Sequence, residues 1–260
     1  MQQRKQLEDG FAEAINRGDF TTFYQPKVET DTLRIVGAEA IARLEYRGKK
    51  IPPTEFVSIL ERNGMVCVLD FYILEQVCKD IREWLKKGLE PVRISVNLSR
   101  KHLANPNLSE DIMDILHKYE MESRYIELEL TETVEKAEAD QVISFMKKTK
   151  ENGIALSIDD FGMGYSSLNL LRTFPVDVLK LDKTFLNRME ESDRIVLSNI
   201  IRMASELHMC VVVEGVENWQ QVDYLKQMNC KVVQGFLFDE PLPKDVFEKK
   251  MKTGKYEKTA

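Results

Sequence analysis

Residues 154–185 read IALSIDDFGMGYSSLNLLRTFPVDVLKLDKTF, and the order of apolar runs and breakers in them decides the fold. Residues 154–158 form an apolar run with β-branched Ile154 and Ile158, which predicts a buried strand ending abruptly at Asp159 and Asp160. Two carboxylates therefore sit where a strand becomes a loop. Gly162 and Gly164 punctuate that loop, a helical pattern begins near Ser166, and Pro175 ends it. A second apolar strand over 178–181 carries Lys180 inside it. Strand, helix and strand with polar groups at the strand ends describe a βαβ unit whose chemistry lies on one face.

The rest of the chain repeats this arrangement. An amphipathic helix is predicted over 3–17, with Leu7, Phe11, Ala14 and Ile15 at helical spacing, and Gly18 and Asp19 end it. Residues 23–28 and 35–44 read as strands separated by a short turn-rich interval, an antiparallel hairpin. Helical patterns start at 53–56 and run through 69–87. Strands then alternate with helices at 92–97, 125–131, 154–159, 178–181, 210–213 and 232–236, which with the hairpin makes eight strands. This pattern predicts an α/β fold, a (β/α)8 TIM-like barrel with an antiparallel first strand.

With 260 residues and no Pro/Gly/Ser-rich linker, the chain reads as one domain, residues 1–260. Its core is expected at about 18–248, with 1–17 as an N-terminal helix or linker. A formal net charge of −6 argues against binding a nucleic-acid polymer, which needs clustered Lys and Arg. Cys67, Cys78, Cys210 and Cys230 lack C-x-x-C spacing and read as reduced thiols of a cytoplasmic protein rather than a zinc site. The first 20 residues are charged, and no stretch approaches the roughly 20 apolar residues of a membrane span.

Glu39, Arg43, Asn97, Glu129, Glu132, Asp159, Asp160, Lys180, Glu214, Glu217 and Gln234 stand at or beside C-terminal strand ends, which converge on one mouth in a barrel. Carboxylates gathered there repel, at roughly 4 kcal/mol for each pair about 4 Å apart in a dielectric of about 20. Bound cations or protonation must relieve that repulsion. Oxygen ligands without His or Cys point to the hard ions Mg²⁺ or Mn²⁺. Taken singly, these residues have plainer readings. Asp159-Asp160 suits a helix cap, Asn97 a turn, Arg43 a surface pair, Glu214 a loop acid and Lys180 a salt bridge to Asp182. His102, His117 and His208 show no ligand or nucleophile spacing.

Eight motifs in order carry a resemblance. They are YQPKV at 24–28, EAIAR at 39–43, SVNLS at 95–99, ELELTET at 127–133, DDFGMGYSSL at 159–168, VDVLKLD at 176–182, EGVE at 214–217 and QGFLF at 234–238. The chain resembles the EAL family of cyclic di-GMP phosphodiesterases over nearly its whole length. The resemblance implies hydrolysis of one phosphodiester of cyclic di-GMP to linear pGpG, with two divalent cations, Mg²⁺ or Mn²⁺. It implies that Glu39, Asn97, Glu129 and Asp159 hold one cation and that Asp159 bridges to a second held by Asp160. Glu214, as general base, and Lys180 would orient the attacking water. Glu217 would complete the polar lining, and Glu132 would brace the 161–168 loop. Arg43 would contact a phosphate, and Gln25, Ile41 and Gln234 would also line the substrate.

Two positions depart from the family pattern. Ile41 replaces Leu, a near-isosteric change. Met163 replaces a small Thr or Ala between the glycines of the loop, where a misplaced Asp160 would weaken catalysis. The alternative function is thus a weak or inactive cyclic di-GMP receptor. An enolase-like barrel with Lys180 as base is a third reading, although Asn97 and the paired aspartates suit two-metal hydrolysis better. The resemblance further implies a homodimer through the loop and helix at 161–174, and a sensor or GGDEF module fused upstream.

Overall fold

The computed structural model describes residues 10–11, 13–131, 139–162, 168–186 and 190–258. Leu7, Glu132 and Met163, with the 163–167 part of the expected dimer loop, lie outside the described residues.

Strands β1 (Phe20–Glu29) and β2 (Ile35–Tyr46) form the expected hairpin, antiparallel from Phe20↔Leu44 to Val28↔Ile35. A short β3 (Lys49–Ile51) extends it, and helices α1 (Pro53–Asn63) and α2 (Val66–Lys86) follow, so the helical stretch at 53–87 is two helices. Gly64 separates them in the left-handed conformation, φ 76°, which an L side chain adopts only at a cost. The alternation then runs β4 (Arg93–Asn97), α3 (Leu108–Lys118), β5 (Ile126–Thr131), α4 (Ala139–Glu151), β6 (Ala155–Phe161), α5 (Leu168–Thr173), β7 (Val178–Leu181), α6 (Glu191–Glu206), β8 (Cys210–Val213), α7 (Trp219–Gln227), β9 (Val232–Gln234), β10 (Leu242–Pro243) and α8 (Lys244–Thr253).

The strand order β1-β9-β8-β7-β6-β5-β4-β2, joined by the β1–β2 pairing, closes an eight-stranded barrel. β2 and β4 to β9 run parallel, whereas β1 runs against both neighbours, β2 and β9. The short β3 and β10 flank this barrel.

Burial divides the barrel strands by alternation. In β5, Ile126, Leu128 and Leu130 pack into the apolar core, while Glu127 and Glu129 are equally buried but bond to Lys27. Their neighbours Ser95, Ser157, Lys180 and Gln234 are buried too. The lumen is therefore polar and charged, and the apolar core is the shell between strands and helices. Charge inside a barrel is costly unless it is paired and hydrogen-bonded, so this lumen needs a dense polar network. Among the described residues, no helix is long and apolar enough to cross a membrane.

Candidate active site

Strand register brings the polar residues of distant segments to one level. Gln25 stands opposite Glu39, Asn97 opposite Glu129, and Thr131 opposite Asp159. Glu214 follows β8 directly, its backbone N–H donating to Leu181 O at 2.9 Å. Gln234 ends β9 and donates from Nε2 to Glu39 Oε2 at 2.8 Å and Gln25 Oε1 at 3.1 Å. Asn97 Nδ2 donates to Glu39 Oε1 at 3.1 Å, which leaves its amide oxygen available to a cation.

Consecutive residues of a regular strand point to opposite faces, so Asp159 and Asp160 should not share a site. β6 breaks the rule. Between the pairs Ile158↔Leu179 and Phe161↔Leu181 it holds Asp159 and Asp160 against the single Lys180 of β7. That extra residue is a β-bulge, and Asp160 adopts a left-handed φ of 56° within it, a region Asp tolerates better than most residues. The Asp160 N–H also donates to Asp159 Oδ1 at 3.0 Å. As a result, carboxylate oxygens of Asp159, Asp160 and Glu214 lie within 4.8 Å of one another.

Lys180 Nζ is the cation at the centre. It lies 2.7 Å from Glu129 Oε2, 2.7 Å from Glu214 Oε1, 3.0 Å from Asp159 Oδ1 and 3.2 Å from Glu39 Oε2. Beneath it, Lys27 Nζ contacts Glu129 Oε1 at 2.9 Å and Glu127 Oε1 at 3.0 Å. Two ammonium groups thus face five carboxylates, Glu129 being shared between them. Glu129 lies against both lysines, which overcome its burial and hold it down at about 2. Burial pushes Asp159 up to about 7 and Glu214 up to about 8, and neighbouring carboxylates add to the shift against the pull of Lys180. Asp160 is raised by burial and by Asp182.

Such a set fits a hard divalent cation. Its donors are carboxylate and amide oxygens, and its negative charge exceeds what the lysines neutralise. Gln234 Oε1 is also buried without a hydrogen-bond donor, the kind of orphan acceptor that water or a ligand completes.

Two cavities flank the ridge formed by Glu39 and Ile41. One, of about 290 Å³, is lined by Asp159, Lys180, Lys183, Glu214, Glu217 and Phe236 among others. The second, of about 340 Å³, is mainly apolar, with Phe56, Val57, Leu69 and Ile73 in its walls, and Asp70 and Asn97 among its polar groups.

The family model described as EAL domain matches residues 8–241. The chain belongs to the EAL domain family. This EAL domain is 34% identical over 258 residues to the cyclic di-GMP phosphodiesterase NbdA of Pseudomonas aeruginosa, covering 98% of this chain and 33% of that protein. It is 35% identical over 240 residues to the signaling protein YkoW of Bacillus subtilis, covering 91% of this chain and 30% of that protein. The EAL domain thus spans about a third of the length of the curated relatives it matches. Among solved structures, the PaMucR phosphodiesterase in complex with c-di-GMP superposes with a TM-score of 0.86 at 31% identity, covering 93% of this chain and 99% of that one. An EAL domain protein from Listeria monocytogenes EGD-e gives 0.82 at 28% identity, covering 95% and 98%.

Within the EAL domain, Gln25, Glu39, Ile41, Asn97, Glu129, Asp159, Asp160, Lys180, Glu214, Glu217 and Gln234 gather at the cluster or its two cavities. Lys180 does not pair with Asp182, whose carboxylate instead accepts from Thr184 N–H at 2.8 Å. Arg43 lines neither cavity. It pairs with Thr21 across the hairpin and lays its guanidinium over the Phe23 ring, 5.7 Å from the centroid. Glu217 is exposed, and its N–H donates to Gln221 Oε1 at 2.8 Å.

Three residues escaped the sequence reading. Phe236, 62% exposed, stands at the polar cavity, and Lys183 shares that cavity. Asp70 borders the apolar one and contacts buried His102 at 3.2 Å, which gives that histidine a structural partner. The exposed Phe in QGFLF was the available signal, because an aromatic beside a polar strand end suits a planar ligand. Asp70 carried no signal, since it lies within the helical pattern of α2.

Proposed function

We propose that this EAL domain is a metal-dependent phosphodiesterase that hydrolyses one phosphodiester of cyclic di-GMP to linear pGpG. The observation that carries the reading is the bulged Asp159-Asp160 pair meeting Glu214 around Lys180 between two cavities. Two relatives bear names that state this activity, and a similar solved structure is described as a complex with c-di-GMP.

Glu39, Asn97, Glu129, Asp159 and Asp160 would hold two divalent cations, Mg²⁺ or Mn²⁺. When bound, such ions supply Lewis-acid activation of water and charge neutralisation at the phosphate. The chain's own residues do the rest. Glu214, 2.7 Å from Lys180 and with a carboxylate oxygen within 4.8 Å of those of Asp159 and Asp160, is placed to take the proton of the attacking water once its own has been displaced by bound cations. Lys180 holds Glu214 and Asp159 in place, 2.7 and 3.0 Å away, and offers positive charge to the phosphate as negative charge develops there. Glu217, in the polar cavity, is fixed through Gln221 and completes the lining.

A two-base substrate matches a site with two cavities. Phe236 offers a ring for one base to stack on, and the apolar cavity with Asp70 takes the other, a carboxylate being a fit acceptor for the N–H edge of guanine. Ile41 lies between them, Gln25 and Gln234 line the polar cavity, and Lys183 reaches a phosphate. Arg43 is assigned to the outer rim. Cytoplasmic location, a homodimer through 161–174 and a fused sensor or GGDEF module belong to the same proposal.

The test is chromatography of cyclic di-GMP incubated with the protein and Mn²⁺ or Mg²⁺, with Glu39→Ala and excess chelator as controls. Metal-dependent pGpG that Glu39→Ala abolishes supports the reading. Tight binding without pGpG replaces it with a receptor, and neither binding nor turnover removes cyclic di-GMP from the account.

A further inference from the structure

The lumen holds a second lysine that the proposed chemistry does not use. Lys27, 5% exposed, lies on β1 and donates from Nζ to Ser95 Oγ at 2.8 Å, Glu129 Oε1 at 2.9 Å and Glu127 Oε1 at 3.0 Å. An ammonium has three donors, and all three are engaged. Glu127 is itself 5% exposed, so Lys27 cannot swing aside without leaving a buried charge unpaired, which costs several kcal/mol.

This arrangement divides one carboxylate between two layers. Oε1 of Glu129 belongs to Lys27, whereas Oε2 faces Lys180 at 2.7 Å in the cluster. Glu129 is 1% exposed and both of its oxygens are committed. Only Oε2 faces the acidic cluster around Lys180.

We propose that Lys27 is a positioning residue that sets which divalent cation the centre prefers, by restricting Glu129 to a single donor oxygen. The inference rests on the reading of the cluster as a divalent-cation site. Mg²⁺ demands near-octahedral single-oxygen contacts, while Ca²⁺ takes 6–8 oxygens and uses carboxylates two-handed. A buried clamp on Oε1 therefore disfavours the larger ion. The positive charge of Lys27 also weakens cation binding, but it does so alike for all divalent ions. The ratio of affinities isolates the geometry.

Isothermal titration calorimetry with Mg²⁺, Mn²⁺ and Ca²⁺, without substrate, tests this on the wild type, Lys27→Met, Lys27→Met/Glu127→Gln and Glu127→Gln. The Ca²⁺-to-Mg²⁺ affinity ratio is expected to rise on the order of ten-fold in both Lys27→Met proteins, the scale of losing a partner behind a metal ligand. It is expected to stay at the wild-type value in Glu127→Gln, where Lys27 still clamps Glu129. The double variant removes both members of the buried pair and carries the test if Lys27→Met alone fails to fold. An unchanged ratio in a folded Lys27→Met protein overturns the inference even if every affinity moves together, as does a wild type that binds no divalent cation. Absence of pGpG formation by a wild type with the expected ratios would instead overturn the phosphodiesterase reading and leave this one standing.

Discussion

Lys180 is the residue on which the centre's charge balance turns, because one buried ammonium touches four carboxylates. In Lys180→Met those acids lose their shared counter-charge while remaining in the lumen. Stability in chelator should fall by roughly 3–5 kcal/mol, the usual cost of stranding a buried charge. Urea unfolding reads the loss, and added Mn²⁺ should restore part of it by replacing the missing positive charge. A variant as stable as the wild type in chelator would show that Lys180 is not what makes the cluster tolerable. Phe236 is the opposite case. Being 62% exposed, it contributes little to folding, and Phe236→Ala should melt within about 0.5 kcal/mol of the wild type. Loss of base stacking should cost about 1–3 kcal/mol, seen as a rise in KM for cyclic di-GMP of roughly 5- to 150-fold. An unchanged KM would place that base elsewhere.

At the scale of elements, the end of β9 packs against the turn carrying Glu214. A Cβ on Gly235 would lie 2.1 Å from Val216 O and 2.3 Å from Val216 N, both backbone atoms that no rotamer can move aside. Gly235→Ala should therefore displace the 214–217 turn, destabilise by about 1–3 kcal/mol as overpacking does, and lower kcat more than it raises KM, since Glu214 moves with the turn. Steady-state kinetics beside a thermal melt would settle it, and wild-type kcat would show that the turn yields without moving Glu214. The same elements show what was legible in the sequence. Apolar runs such as 178–181 and 210–213 announced their strands, and the turn-rich break at 29–32 announced the antiparallel entry. The polar residues ending those strands gave most of the cluster. The β6 bulge left no trace, because alternation does not reveal that two residues will stand opposite one on another strand. The surroundings of Arg43 were illegible for a related reason. Register places it opposite Thr21, two pairs beyond Ile41 along the hairpin, where it meets Phe23 rather than a cavity. Phe236, Lys183 and Asp70 depend on how separate loops and helices converge, which spacing along one chain does not encode.

For the whole molecule, the crowded lumen ties stability to pH and to cations. Asp159 rises from an ordinary 3.8 to about 7, and Glu214 from 4.5 to about 8. Between about pH 4 and 8 the folded chain therefore holds protons that the unfolded chain has released, so stability falls as pH rises through this window. Glu129 behaves oppositely. Held at about 2, its contribution is complete above its ordinary 4.5 and constant from about pH 5 upward, so it does not mask the slope. Lys27 and Lys180 are raised and stay charged throughout. Divalent cations require the deprotonated acids, so they stabilise most where the chelated protein is weakest. Melting temperature in chelator should accordingly decline from pH 5.5 to 8, and the gain on adding Mn²⁺ should widen over the same range. A general excess of negative charge, −6 for the chain, also lowers stability as pH rises. Asp159→Asn/Glu214→Gln separates the two causes, because it removes the two raised acids and should flatten most of the slope in chelator. A chelated wild type whose melting point is flat or rising across that window, or a Mn²⁺ gain independent of pH, would mean that the carboxylates are not proton-loaded in the folded state and that the cluster is balanced by its lysines alone.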